Sequence, residues 1–307
     1  MLELKFNSLI ALWRTFPNEA ACIKHLEKLY WNDCPVSPFD AASKVYRLKN
    51  GQYRCKNTGK NFNVKTGTMF ENTKIGLVKW FTAIWLVANN KKGISSYQLA
   101  RDIEVTQKTA WFMLTKIRSM MECENKGLLH GEVEIDETYV GGKNKNRHMD
   151  KKVPHSQGRS HKDKTTVVGM VERGGKLIAK VTTDVRANTL SGLIQQHVHP
   201  QAAIYTDEHD AYNQIGRTYR RRYIDHSKHQ YADGDVTTNR IENCWTHLKR
   251  MVHGTYHRPT RRHLQRYVNE FVFRYNLRGK SDSERFNLLL CNSKTHVTHK
   301  EIKLWAA

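Results

Sequence analysis

The chain has 307 residues, long enough to bury a sizeable core and to form two or three domains. Its 51 Lys and Arg against 29 Asp and Glu give a formal net charge of +22, a field that draws polyanions and makes nucleic acid the expected partner. No apolar run reaches the ~18 residues of a membrane span, and the acidic residue near the start argues against a signal peptide. The six cysteines are scattered rather than framed as disulfides, which predicts reduced thiols and a cytoplasmic setting.

Residues 1–31 read as two short helices broken at Pro17, with Asn18 capping the second and Ala21, Cys22, Leu26 and Leu29 along one face. An alternating stretch (Tyr46, Leu48, Tyr53) then turns at Asn50-Gly51, a strong hairpin signal. Cys34 and Cys55 each open a pair whose second member is Ser37 or Thr58. A zinc ribbon needs four soft ligands, and hydroxyls are poor ones. The expectation is a ribbon-shaped hairpin that holds no zinc, unless His25 and Asp33 complete a site.

Residues 72–121 are predicted to be helical throughout, with Leu77, Phe81, Ile84 and Val87 on one stripe. Within them lies helix-turn-helix grammar. Ser95 or Ser96 caps a short helix with Leu99 and Ile103 inward, and Thr106 caps a second with Ala110, Leu114 and Ile117 inward. Gln107, Lys108, Thr109 and Lys116 are expected to face outward, as residues of a helix laid in the major groove of DNA would. A plain helical hairpin packed on a neighbouring domain is the alternative.

From residue 131 the pattern changes to strands. GEVEIDETYVGG carries Asp136 in an alternating run, and residues 143–164 form a basic loop. Two further strands meet at Gly174-Gly175, residues 188–198 form a helix, and AAIYTD is a short buried strand ending in Asp207. YRRRYIDHS reads as another strand. In the helix of residues 237–250, Ile241, Trp245 and Leu248 are the buried stripe, with Glu242, Thr246 and Lys249 on the adjacent face. The last long helix, residues 260–277, keeps Leu264, Tyr267, Phe271 and Tyr275 on one side and its arginines off it.

Three antiparallel strands, a helix, a further strand and a later helix is the order of a ribonuclease H-like α/β fold, a mixed sheet with flanking helices. In such a sheet the first and fourth strands are neighbours, so Asp136 and Asp207 meet. A lone Asp near a strand end is usually a turn or cap residue; two brought together in a basic chain suit phosphodiester chemistry. There, two divalent ions about 3.5–4 Å apart clamp the attacking and leaving oxygens, and Mg²⁺ or Mn²⁺ takes hard oxygen ligands. Glu242 is the third candidate ligand. Its competing role is a capping box with Asn239. Asn239 and Asn243 are possible neutral third ligands, with Asp233 and Asp235 looser candidates.

With these residues assembled, the chain resembles insertion-sequence transposases of the DDE superfamily, in the group with an N-terminal zinc ribbon related to Merlin elements. CPVS and YRCKNT resemble the ribbon, IDETYVGGK the first acidic block, YTDEHDAY the second, and TNRIENCWTHLKR followed by HGTYH the third. The resemblance implies cleavage and strand transfer at the ends of a DNA segment bounded by inverted repeats, by an oligomer using Mg²⁺ or Mn²⁺. It assigns catalysis and metal binding to Asp136, Asp207 and Glu242, with Lys249 the following basic residue and Arg250 beside it as a further DNA contact. Ser37 and Thr58 depart from the ribbon pattern, so zinc is not carried over. The expected domains are 1–70, the N-terminal helices and ribbon-like hairpin; 71–127, the helix-turn-helix region; 128–295, the catalytic domain; and 296–307, a tail. A DNA-binding protein without catalysis, domesticated or inactive, is the competing class; a nuclease acting on RNA–DNA hybrids is a third.

Overall fold

Two separate chain units emerge in the computed structural model, which describes residues 5–124, 127–142, 144–154, 156, 163–224, 236–257, 259–294 and 302. One comprises residues 1–123 with 279–307; the other comprises 124–278. Among the described residues no helix is long and apolar enough to cross a membrane.

In the first unit, α1 (Leu9–Thr15) and α2 (Glu19–Trp31) are capped by Ser8 and Asn18, whose side chains accept the amides of Ala11 and Ala21. A three-stranded antiparallel sheet follows, β1 (Val45–Arg47), β2 (Tyr53–Cys55) and β3 (Asn61–Phe62), turning at Asn50-Gly51 as the sequence predicts. Cys34 is exposed whereas Cys55 is buried. Burial opposes ionisation of the Cys55 thiol, but hydrogen bonds to Ser37, Ser43 and Thr58 bring it down to about 6. Two of these hydroxyls, Ser37 and Thr58, stand at the positions where a ribbon would place further thiolates. The alternative ligand His25 lies instead against the rings of Phe16 and Phe81, and burial lowers it to about 4. Elemental analysis of the purified chain is therefore expected to find well under one zinc per protein; a full equivalent would contradict the hydroxyl cage.

The helices α3 (Leu77–Asn89), α4 (Ser96–Asp102) and α5 (Gln107–Met120) form where expected, the last two capped by Ser95 and Thr106. Lys116 departs from its expected outward position. It is 5% exposed and its Nζ donates to the carbonyl of Met69 at 2.6 Å. From Met113 to Arg118 every residue of α5 is buried, so this half of the helix has no outer face and the ammonium takes a backbone carbonyl instead of water. Lys108 is exposed, and Gln107 and Thr109 are half-buried. The helix α9 (Asp282–Cys291), expected with residues 128–295, belongs to the first unit. Its Phe286 packs among Phe6, Phe16, Phe81 and Trp85, an aromatic cluster that gains from edge-to-face contacts.

The second unit is a mixed five-stranded sheet with helices on both faces. Its strands are β4 (Glu132–Val140), β5 (Thr165–Glu172), β6 (Leu177–Thr182), β7 (Ala203–Asp207) and β8 (Arg220–Ile224), in the order β6-β5-β4-β7-β8. The first three are antiparallel, and β7 and β8 run parallel to β4. Successive side chains of a strand point to opposite faces, which divides the core in two. Val133, Ile135, Val168 and Met170 pack with α6 (Ala187–His197) and the 3-10 helix Asp210–Arg217. Val140, Val167 and Val171 pack with α7 (Asn239–Met251) and α8 (Arg261–Asn276). The β6 edge is covered by α8: Gln265 and Asn276 bond the backbone of Ala179, Val181 and Leu177, which masks an otherwise pairing-prone strand.

Candidate active site

The central strand β4 and its parallel neighbour β7 create the site. Glu132 pairs with Ala203 and Glu134 with Tyr205. Continued two residues along both strands, the same register brings Asp136 level with Asp207, where β7 ends. Asp136 feels its surroundings: burial first, then the charges of Glu137 and Asp207, push its carboxyl up to about 7. Trp245 Nε1 donates to Asp136 Oδ2 at 2.9 Å. Asp207 Oδ1 accepts the amide of His209 at 3.1 Å, and Arg221 clamps the strand end, donating to the Asp207 carbonyl at 3.0 Å and to Thr206 Oγ1 at 2.9 Å.

Both aspartates line a cleft of about 1010 Å³ within this unit, walled on one side by α7. Glu242, Thr246, Lys249 and His253 face into it from that helix and from the π-helical turn Val252–Tyr256 that continues it. Lys164 adds a further cation to the wall. Glu242 is exposed, and its Oε1 accepts Thr238 Oγ1 at 2.9 Å. Among the described residues no three His, Cys, Asp or Glu side chains stand close enough to hold one metal ion. The structure therefore brings Asp136 and Asp207 together and places Glu242 in the same cleft without joining it to them. As a donor set, side-by-side carboxylates suit a hard divalent cation.

The capping box expected between Asn239 and Glu242 does not form. The residue before α7 is Thr238, which makes no side-chain cap. The first free amides are taken by a residue from another element: Glu134 Oε2 accepts the amides of Arg240 and Ile241 at 2.9 and 3.2 Å. A carboxylate at a helix N-terminus both satisfies orphan donors and meets the positive end of the dipole. Glu134 is fully buried, and its other oxygen accepts Arg173 Nε at 2.9 Å. Arg173 also reaches Glu132 and Thr237 and lies over the Tyr205 ring at 4.4 Å. The Glu242 side chain accepts the Thr238 hydroxyl and lines the cleft.

Asn239 and Asn243 are exposed and do not line the cleft; Asp233 and Asp235 lie outside the described residues. Lys249 lines the cleft, while Arg250 is exposed outside it. Three side chains that shape this region are not evident from the sequence: Glu134, Arg173 and Glu137. Glu137 is buried and accepts the Tyr212 hydroxyl at 2.8 Å. Burial, followed by the charges of Glu137 and Asp136, raises that phenol well above its usual range. The available signal was the acidic density of EVEIDE in a central strand, where unpaired charge is too costly to bury.

Residues 128–276 match the family described as the ISXO2-like transposase domain. The chain is 28% identical over 295 residues to an uncharacterized protein in transposable element ISH50 of Halobacterium salinarum, covering 90% of this chain and 97% of that protein. It is also 28% identical over 102 residues to an uncharacterized transposase-like protein of Haemophilus influenzae, covering 33% of this chain and 81% of that protein. Among solved structures, the Mos1 strand transfer complex is similar over 71% of this chain and 79% of that chain, at 13% identity and a TM-score of 0.30.

Proposed function

Starting from the chain's membership of the insertion-sequence transposases of the DDE superfamily, we propose that it catalyses divalent-metal-dependent DNA cleavage and strand transfer at the ends of an insertion sequence. The observation that carries this is the β4–β7 register, which sets Asp136 beside Asp207 on the wall of an open, cation-flanked cleft. The sheet order agrees with the ribonuclease H-like arrangement expected from the sequence.

Asp136 and Asp207 would hold Mg²⁺ or Mn²⁺, with Glu242 reaching in from α7 to complete the set for two ions. When bound, the ions supply positive charge at the reacting phosphate and lower the pKa of the attacking hydroxyl. The chain's own part is binding and orientation. Lys164, Lys249 and His253 meet the phosphate backbone at the cleft wall. In cleavage, the oxygen of water attacks phosphorus and the P–O3′ bond breaks, leaving a 3′-hydroxyl and a 5′-phosphate. In transfer, that 3′-hydroxyl attacks a target phosphate, and the displaced 3′-oxygen of the target takes up a proton. Each step exchanges one phosphodiester oxygen for another, so no redox partner is needed.

The first unit would recognise duplex DNA bearing the terminal inverted repeats. Its helix-turn-helix contacts would be Gln107, Lys108 and Thr109 at the start of α5; the burial of Lys116 removes it from that surface. Arg250 would extend the phosphate contact beside Lys249. The working form is a homo-oligomer on DNA, acting in the cytoplasm. Labelled element-end DNA incubated with Mg²⁺ or Mn²⁺ tests the reading. Release of a 3′-hydroxyl end is expected from the unmodified chain and not from Asp207→Ala. Binding without cleavage in both would instead support a DNA-binding protein without catalysis.

A further inference from the structure

Trp245 belongs to the buried stripe of α7 and is 4% exposed, and two features of its placement tie it to Asp136. Its Nε1 donates to Asp136 Oδ2 at 2.9 Å. Its ring also occupies the space left by Gly169, the residue paired with Asp136 across the β4–β5 register. A Cβ on Gly169 would lie 2.3 Å from Trp245 Cη2, 2.6 Å from its Cζ2 and 2.9 Å from Ile241 Cδ1. A glycine inside a strand weakens the sheet and marks a place where another group approaches closely. Here the approaching group is the indole, and it arrives opposite Asp136.

We propose that Trp245 is a positioning residue for Asp136, and that Gly169 is the gap that admits it. The indole N–H is a donor only, so it holds one carboxylate oxygen as acceptor and restrains rotation of the group. The other oxygen is then the one offered to a metal ion. Trp245 stands one turn from Glu242 on α7, so the helix that brings the third carboxylate also sets the orientation of the first. This inference rests on the reading of Asp136 as a metal ligand. Groups that orient a ligating carboxylate contribute about 10–100-fold in metal affinity when removed.

The test is Mn²⁺ binding by the full-length chain, followed by electron paramagnetic resonance, with melting temperature in EDTA as the control for folding. Trp245→Phe keeps a ring over Gly169 and deletes the N–H. Its Mn²⁺ affinity is expected to fall about tenfold while the fold persists. Gly169→Ala, which displaces the indole, is expected to lose a similar factor and to add no further loss of affinity in the Trp245→Phe background. A measurement without variants stands beside these: in ¹⁵N-tryptophan-labelled chain, stoichiometric Mn²⁺ is expected to broaden one indole N–H selectively among the seven tryptophans. If the unmodified chain binds Mn²⁺, Asp136→Asn does not, and Trp245→Phe binds as tightly as the unmodified chain, the positioning role is overturned and the metal reading stands. If the unmodified chain binds no Mn²⁺, both are overturned.

Discussion

Asp136→Asn is expected to abolish strand cleavage and, in EDTA at pH 8, to make the protein more stable. The two effects share one cause. Burial, with the charges of Glu137 and Asp207 next, raises the Asp136 carboxyl to about 7, against about 3.9 in an unfolded chain. Between those values the folded state holds more proton than the unfolded state, so folding stability falls as pH rises. The loss is complete above pH 7 and absent near pH 4. The shift corresponds to at most about 4 kcal/mol, and partial solvent access at this half-buried group reduces it to roughly 2–3 kcal/mol. Asn carries no charge at any pH, so the variant avoids the penalty while losing the anionic oxygen that a cation needs. Melts in EDTA from pH 4 to 8 are expected to coincide at the acid end and separate towards pH 8, the variant melting higher. Curves that remain parallel would show that Asp136 is not destabilised by its neighbours.

On the proposed reading of Asp136 as a metal ligand, such strain has a use: a bound cation would offset the charge of Asp207 and Glu137 that the Asp136 carboxyl feels. The sequence showed the pairing of Asp136 with Asp207 because it depends on the order of elements: the fourth strand of this topology runs beside the first, and Asp136 and Asp207 sit at matching heights. Other features depend on contacts between distant segments and leave little local trace. Asn239-x-x-Glu242 has the spacing of a capping box, yet the amides of α7 are taken by Glu134 from a strand more than 100 residues earlier. The same device recurs in the first unit, where α3 makes no side-chain cap of its own and Glu19 of α2 accepts the amide of Leu77. Helical periodicity marks Lys116 as outward because it assumes one buried face, whereas that half of α5 is enclosed on all sides. The Asn50-Gly51 turn and the missing second cysteines were readable; the approach of Ser43 to Cys55 was not, because it comes from a loop with no pattern of its own.

Glu134→Ala is expected to destabilise the second unit by about 3–5 kcal/mol. Glu134 is fully buried, and its two oxygens serve different partners. Oε1 holds Arg173, and Oε2 holds two amides of α7. Truncation leaves a guanidinium without its buried counter-charge and strips the helix of its N-terminal acceptor, a loss of about 1 kcal/mol in the usual capping case. Arg173 retains Glu132 and Thr237, so it stays partly satisfied and the cost is held below that of an isolated buried charge. Glu134→Gln keeps one carbonyl oxygen for the amides but turns an NH₂ group towards Arg173, and is expected to lie midway. The double variant Glu134→Ala with Arg173→Ala is expected to cost less than the sum of the two, because the second change removes the charge stranded by the first. Because α7 carries both Glu242 and Trp245, cleavage under conditions where Glu134→Ala remains folded is expected to fall as the start of the helix loosens. Urea titration and a cleavage assay on the same preparations would check this. A stability loss below about 1 kcal/mol would show that the buried carboxylate does not anchor α7, and that Glu242 reaches the cleft by some other support.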